Sequence, residues 1–323
     1  MKKVNNNSNL IVDDFKKHEG YGKIDFIGKV GLFGGISVIL TVAALIYLAV
    51  HGINYGIDFK GGTEMQIKFD GAVTIDQLRD SIKDMSIGEV GVQTVGDGNE
   101  YVIRFQGEKG KTDKETNELL NSSIASVKEK INKNFGDKNP DFRRVDTVGP
   151  QVGGELKRSG LLAMFYCLLV ILIYVAIRFD YNYSPGAVAC LFHDAVITLA
   201  IYILVGKEVN IPIMAAILTL IGFSLNDTIV VFDRIRETEH KFRREGFGFI
   251  INKSINDMLG RTLITSGTVF VSSLCLYFFA GGVVSDIAFA LCIGILFGTY
   301  SSIYVAAPTI LIVNKLTAKP ALA

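Results

Sequence analysis

Six stretches of this chain run for about 20 residues with hardly a charge among them, and nothing else in the sequence limits its fold so strongly. They cover residues 30–50, 161–177, 187–205, 211–232, 262–280 and 287–313. A helix rises about 1.5 Å per residue, so each is long enough to cross the roughly 30 Å hydrocarbon core of a bilayer. A lipid-exposed backbone must satisfy its own hydrogen bonds, and a helix does so within one segment. The expected class is a polytopic α-helical membrane protein with six transmembrane helices. The run at 30–50 is long for a secretory leader and lacks a small-residue cleavage site, so it is expected to stay as the first span.

Orientation follows from the basic residues. With the N-terminus in the cytoplasm, the inside segments hold sixteen Lys and Arg: the tail 1–29, Arg178, the loop 233–261 and the tail 314–323. The short segments 206–210 and 281–286 on the other side hold only Lys207. That asymmetry puts both termini in the cytoplasm of a multi-pass inner-membrane protein. Residues 51–160 then lie outside, in the periplasm of a Gram-negative cell. A net charge of +1 offers nucleic acid no basic surface. Cys167, Cys190, Cys275 and Cys292 all fall inside apolar runs. They read as small apolar residues, not as a disulfide framework or metal site, and no metal or cofactor is expected.

The polar segment after the first span has its own periodicity. Residues 63–69 alternate, with Met65, Ile67 and Phe69 on one face, as in a half-buried strand. Residues 74–85 predict a helix capped by Thr74, with Ile75, Leu78 and Ile82 inward. Residues 90–95 and 101–105 alternate around Gly96, Asp97, Gly98 and Asn99, a hairpin signal. A second helix is expected near 113–135, with Leu119, Ile124, Val127 and Ile131 inward, and a last strand over 142–148. The order βαββαβ is that of an α+β, ferredoxin-like unit between the first and second helices. It shows no catalytic pattern. The domain is expected to fold by itself and to move relative to the membrane.

Ionisable groups inside the spans are the functional candidates. Asp227 lies about 9 Å from the cytoplasmic end of the fourth span, and Asp194, beside His193, about 12 Å inside the third. A mid-span carboxylate costs about 2.5–3.5 kcal/mol to insert. Arg261 stands at the cytoplasmic mouth of the fifth span. Protonating Asp227 would free Arg261 and deprotonating it would recapture it, a two-state element that needs no cofactor. The competing reading gives Asp227 a structural hydrogen bond with Asn226, and lets His193 and Asp194 pair with each other. Asp233, Arg234 and Arg236 at the membrane edge read mainly as orientation signals. Small residues repeat every four positions at Gly294, Gly298 and Ser302 and at Gly31 and Gly35, spacings that allow close helix approach. Residues 247–259 have helical apolar spacing, either lying on the membrane surface or extending the fifth span.

Four motifs resemble the SecF family of protein-export subunits. Gly56-Ile57-Asp58-Phe59-Lys60-Gly61-Gly62-Thr63 follows the first span, and Val148-Gly149-Pro150-Gln151-Val152-Gly153 closes the polar domain. Residues 223–237 (with Asn226-Asp227-Thr228 and Asp233-Arg234-Ile235-Arg236) end the fourth span, and Arg261-Thr262-Leu263-Ile264-Thr265-Ser266-Gly267 opens the fifth. Lys60 and Phe232 occupy positions where the family varies. The resemblance implies a six-span half of the resistance-nodulation-division superfamily, pairing as a heterodimer with a SecD-like subunit and serving the SecYEG translocon. It implies use of the proton motive force in late steps of polypeptide translocation. Protons, membrane lipid and the translocating polypeptide would be its other partners, and it would not be an enzyme. Asp227 and Arg261 match the family's proton-conducting Asp and Arg, and Asp58, Gly61, Gly62 and Thr63 its lead-in motif. Other readings are an intramembrane aspartyl protease using Asp194 and Asp227, a small-molecule exporter half, or a passive translocon scaffold. The protease lacks a Gly-x-Gly-Asp sequence at either acid.

Overall fold

A computed structural model describes residues 22–317, except 86, 89, 96–98, 108, 109, 111 and 180–182. The tail at 1–21, the Gly96–Gly98 part of the expected hairpin turn and the end at 318–323 lie outside the described residues.

Six helices are long and apolar enough to cross a membrane. They are α1 (Val30–His51), α4 (Pro150–Arg178), α5 (Ser184–Leu204), α6 (Ile211–Lys241), α7 (Phe247–Phe279) and α8 (Gly282–Ser301). The last runs through a π-helical turn, Ser302–Ala306, into α9 (Ala307–Thr317). Between α1 and α4 lie β1 (Gly62–Lys68), α2 (Ile75–Ile82), β2 (Val90–Thr94), β3 (Glu100–Phe105), α3 (Asp113–Phe135) and β4 (Asp141–Val148).

Several helices outrun the apolar runs that announce them. At 29 residues α4 is about 43 Å long, and at 33 residues α7 is about 50 Å, both longer than the bilayer core. The segment 233–261, expected to be a loop, is therefore mostly helix. Helix α6 continues to Lys241, α7 begins at Phe247, and only 242–246 turn between them. Residues 247–259 extend the fifth span, and the surface-helix alternative falls. Hydropathy registers only the lipid-facing part, whereas the helix continues wherever a neighbour buries it. Here Asn252 holds the chain entering α1: its Oδ1 accepts from Phe26 N at 2.8 Å, and its Nδ2 donates to Ile24 O at 3.1 Å.

Helices α5 and α6 are the centre of the bundle and bury more than half of their apolar windows, whereas α1, α4 and α7 are largely exposed along theirs. The two small-residue stripes differ. A Cβ on Gly294 would sit 2.2 Å from Leu220 Cδ2, and one on Gly298 would sit 3.3 Å from Ser224 Cβ, so α8 and α6 touch through these positions. Gly31 and Gly35 meet nothing within 4 Å.

The polar domain has one four-stranded antiparallel sheet in the order β2-β3-β1-β4, with α2 and α3 against one face. Met65, Ile67 and Phe69 share a core with Leu78, Ile82, Ile103, Phe105, Val127 and Ile131. Thr74 caps α2, accepting from Gln77 N at 3.2 Å while Gln77 Oε1 accepts from Thr74 N at 3.1 Å. The inward residue at the start of α3 is Leu120, not Leu119 as expected. Adjacent leucines leave the helical phase ambiguous by one, and Val127 and Ile131 decide it.

This domain is fastened to the bundle. Gly56 N donates to Val209 O at 2.8 Å, Val209 N donates to Asn54 O at 2.7 Å, and Asp58 Oδ2 accepts from Ile211 N at 3.0 Å. On the sheet face away from the core, Arg104 Nε donates to Glu64 at 2.6 Å and its Nη1 lies 3.7 Å from Glu208, in the turn before α6. Gly61 adopts φ +75°, and a Cβ there would sit 2.8 Å from Pro150 Cα; one on Gly153 would sit 2.9 Å from Gly61 N. Gly61→Ala is expected to destabilise the protein by about 2 kcal/mol or more, through left-handed strain and a backbone clash. Gly154, where a Cβ meets nothing within 4 Å, is the control. Thermal unfolding in detergent should show a clear fall for Gly61→Ala and none for Gly154→Ala.

Candidate functional site

Three helices converge on Asp194. Helix α5 carries His193 and Asp194, both buried, with His193 Nδ1 2.8 Å from Asp194 Oδ1. From α6, Ser224 Oγ donates to Asp194 Oδ2, and from the end of α8 Ser301 Oγ donates to the same oxygen at 2.8 Å. Cys190, one turn earlier on α5, lies 3.0 Å from Ser301 Oγ and 3.5 Å from Thr228 Oγ1. The carboxylate thus ties α5, α6 and α8 together through hydroxyls. With Nδ1–H given to Asp194, Nε2 of a neutral His193 is an acceptor, and it has no partner among the described residues. Its ring stacks beside Tyr300, with centroids 6.3 Å apart. The expected His193–Asp194 pairing is therefore present. Cys190 is more than a small hydrophobe, because it belongs to this polar cluster.

Asp227 has a separate setting. It is 3% exposed on α6 and accepts from Ser266 Oγ of α7 at 2.9 Å. Arg261 lies about 1.4 turns before Ser266 on α7, and is near enough to act on Asp227 through space, but it forms no ion pair with it among the described residues. The Asp227–Arg261 ion pair expected from sequence is thus absent among the described residues, and a hydroxyl holds the acid. Asn226 does not bond to Asp227 either; it faces outward, exposed. The backbone explains this, since adjacent residues on a helix point about 100° apart. The two acids share no hydrogen-bonding partner among the described residues, unlike the shared-proton geometry of an aspartyl dyad.

One exposed stripe on each of α6 and α7 is polar or small, beside exposed apolar residues such as Leu263, Ile264 and Val271 of α7. Ala215, Thr219, Gly222 and Asn226 are exposed in one stripe of α6, and Arg261, Thr265, Thr268 and Ser272 in one stripe of α7. The hydroxyls satisfy themselves on their own helices, Thr219 on Ala215 O at 2.9 Å and Ser272 on Thr268 O at 2.9 Å. Among the described residues, the amide of Asn226 and the guanidinium of Arg261 have no such outlet.

Membrane-edge charges form local pairs. Asp233 accepts two bonds from Arg178 Nη2, at 2.8 and 2.9 Å. Arg234 bonds Asp257 at 2.5 Å and Glu237 at 2.7 Å, and Arg236 lies over the Tyr183 ring at 6.0 Å. These residues join α4, α6 and α7 at the end of the bundle away from the domain. In the lead-in motif, Asp58 caps α6, Gly61 and Gly62 take positive φ, and Thr63 pairs with Thr147 at 3.2 Å between Oγ1 atoms. They build the joint and do not line the buried acids. The sequence reading missed Ser224, Ser266 and Ser301, although each is a small polar residue in an apolar run near a candidate acid in sequence or in the facing span.

A six-helix bundle with buried acids and a small α/β domain after its first helix defines a multi-pass α-helical membrane protein. Residues 127–316 match the family described as protein export membrane protein SecD/SecF, C-terminal, and residues 46–73 match the SecD/SecF GG motif. The chain belongs to the SecD/SecF family. It is 43% identical over 297 residues to the protein translocase subunit SecF of Calditerrivibrio nitroreducens, covering 91% of this chain and 95% of that one. It is 39% identical over 272 residues to the SecF of Escherichia coli O157:H7, covering 84% and 82%. Among solved structures, the translocon-associated membrane protein SecDF of Thermus superposes with a TM-score of 0.76 at 33% identity. That match covers 90% of this chain but 38% of the SecDF chain, so this chain spans well under half of that protein.

Proposed function

We propose that this chain is the SecF-type subunit of an accessory complex of the Sec translocon. It uses the proton motive force to promote late steps of polypeptide translocation across the bacterial inner membrane, and it acts as a transporter subunit, not as an enzyme. The observation that carries this reading is Asp227. It is buried in an apolar helix against a single hydroxyl, one residue from the exposed Asn226 and across from the exposed Arg261. An amide facing hydrocarbon is costly, and interhelical polar contacts, here beside the guanidinium at the mouth of α7, relieve that cost. A second six-helix subunit, SecD-like, covers the stripe and completes the polar path to Asp227. Both termini lie in the cytoplasm, as the Lys and Arg asymmetry requires, and the α/β domain is periplasmic. Its order βαββαβ and sheet order β2-β3-β1-β4 support a ferredoxin-like unit. Fastened at residues 54–61 and through Arg104, it passes motion of the bundle to emerging polypeptide as one body with α4 and α6, not as a freely swinging domain.

Co-expression with a SecD-like subunit and purification in mild detergent should yield a heterodimer. Asn226→Leu and Arg261→Ala together should weaken it, whereas Leu263→Ala, another exposed position on α7, should not. Recovery of this chain only as a monomer or homodimer would remove the basis for the pairing.

A further inference from the structure

A wholly apolar groove of about 310 Å³ opens between α4, α5 and α6. Leu168 and Ile171 of α4, Leu191 and Leu199 of α5, and Met214 and Ile217 of α6 line it, and Tyr55 closes its end toward the domain. Helix α4 buries the least of its apolar window of the six spans, so the groove is a consequence of its loose packing. Its volume lies at the lower end of small-ligand clefts, about 300–1,000 Å³. At the Tyr55 end stands one cation. Lys157 Nζ sits 4.1 Å above the Tyr55 ring and has no carboxylate partner among the described residues. One turn of α4 separates Lys157 from Leu161, the first α4 residue of the groove.

We propose that this groove holds one acyl chain of a phospholipid from the leaflet nearest the domain, with its phosphate on Lys157. An alkyl chain needs only an apolar slot, and the lining supplies no polar group that would call for anything else. The ammonium keeps donors for a phosphate oxygen while its stem and the ring pack together. A partner helix is the poorer occupant, because the stripe assigned to the partner lies elsewhere. On α6, Ile217 and Gly222 point about 140° apart. Lipid held here sets the distance of α4 from the centre, and α4 carries the Pro150–Gly153 joint to the domain.

The chain contains no tryptophan, which makes a fluorescence test direct. Phe192 lines the groove and Phe165 of α4 is exposed outside it, so Phe192→Trp and Phe165→Trp serve as reporter and control. Full-length protein in detergent is titrated with phosphatidylglycerol brominated on its acyl chains. Quenching of the Phe192→Trp protein should saturate near one lipid per chain, while the Phe165→Trp protein should dim only in proportion to lipid content. Brominated diacylglycerol, which lacks the phosphate, should bind about three- to tenfold more weakly, and Lys157→Gln should remove that difference. Native mass spectrometry of the unsubstituted chain gives the same stoichiometry and phosphate preference should the reporter protein aggregate. Quenching without saturation, equal midpoints for the two lipids, or loss of the saturable phase on adding the SecD-like subunit would each overturn the assignment.

Discussion

Asp227→Asn is expected to leave the protein assembled and folded while removing the dependence of export on the proton gradient. An asparagine keeps the size of the side chain and its oxygen still accepts from Ser266 Oγ, now 2.9 Å from Asp227. What disappears is titration. Vesicles containing this chain and its SecD-like partner should lose gradient-dependent proton flux, falling to the level of empty vesicles. Arg261→Lys keeps the charge but loses reach and the planar fork, so partial loss is expected. A purely structural Asp227 makes the opposite demand: Asp227→Asn would conduct like wild type, and Asp227→Ala would be unstable. Wild-type flux from a well-assembled Asp227→Asn complex would end the relay reading.

The second large effect concerns Asp194, in the opposite currency. Asp194→Ala is expected to destabilise the chain by about 3 kcal/mol, because Ser224, Ser301 and His193 lose a buried acceptor at once and unsatisfied groups cost about 1–3 kcal/mol each. Ser301 recovers part of this through Gly298 O, already 3.0 Å away. Asp194→Asn keeps one acceptor oxygen and should lose much less. The measurement is thermal unfolding of the purified complex, with proton flux followed in parallel. Normal flux in a destabilised Asp194→Ala complex assigns the node to holding α5, α6 and α8 in register. A stable Asp194→Asn complex without flux would instead place this acid on the proton path.

Much of this architecture was legible because it rests on periods and totals. Six apolar runs demand six spans, and alternation at Met65, Ile67 and Phe69 demands a strand with one buried face. The His193–Asp194 contact was also within reach, since a buried acid beside a histidine has few other partners. Less accessible was which neighbour an acid chooses. Asn226 is next to Asp227 in sequence but points elsewhere on the helix, and Ser266, 39 residues on, makes the bond. The ends of α6 and α7 were missed for a related reason: tertiary burial, not local apolarity, carries them past residue 232 and back to Phe247. The joint shows the same limit. Gly61 and Gly62 signal a turn, whereas the need for glycine arises from Pro150 and Phe105, distant in sequence.

The bond from Ile211 N to Asp58 joins residues 153 positions apart, while the Gly61–Pro150–Gly153 contact closes within a much shorter stretch. During synthesis these two fastenings therefore cannot be made together. The glycine contact is available as soon as the small domain has emerged with the start of α4. Asp58 must wait through the insertion of two more helices before its partner exists. For that interval the nascent chain carries a finished domain on an unfinished anchor, with a carboxylate unmatched at its base. Arrival of α6 supplies the missing amide and the Val209 bridge in one step. The bonds that Asn54, Gly56 and Asp58 make to residues 209–211 thus close only when the fourth span has reached its place.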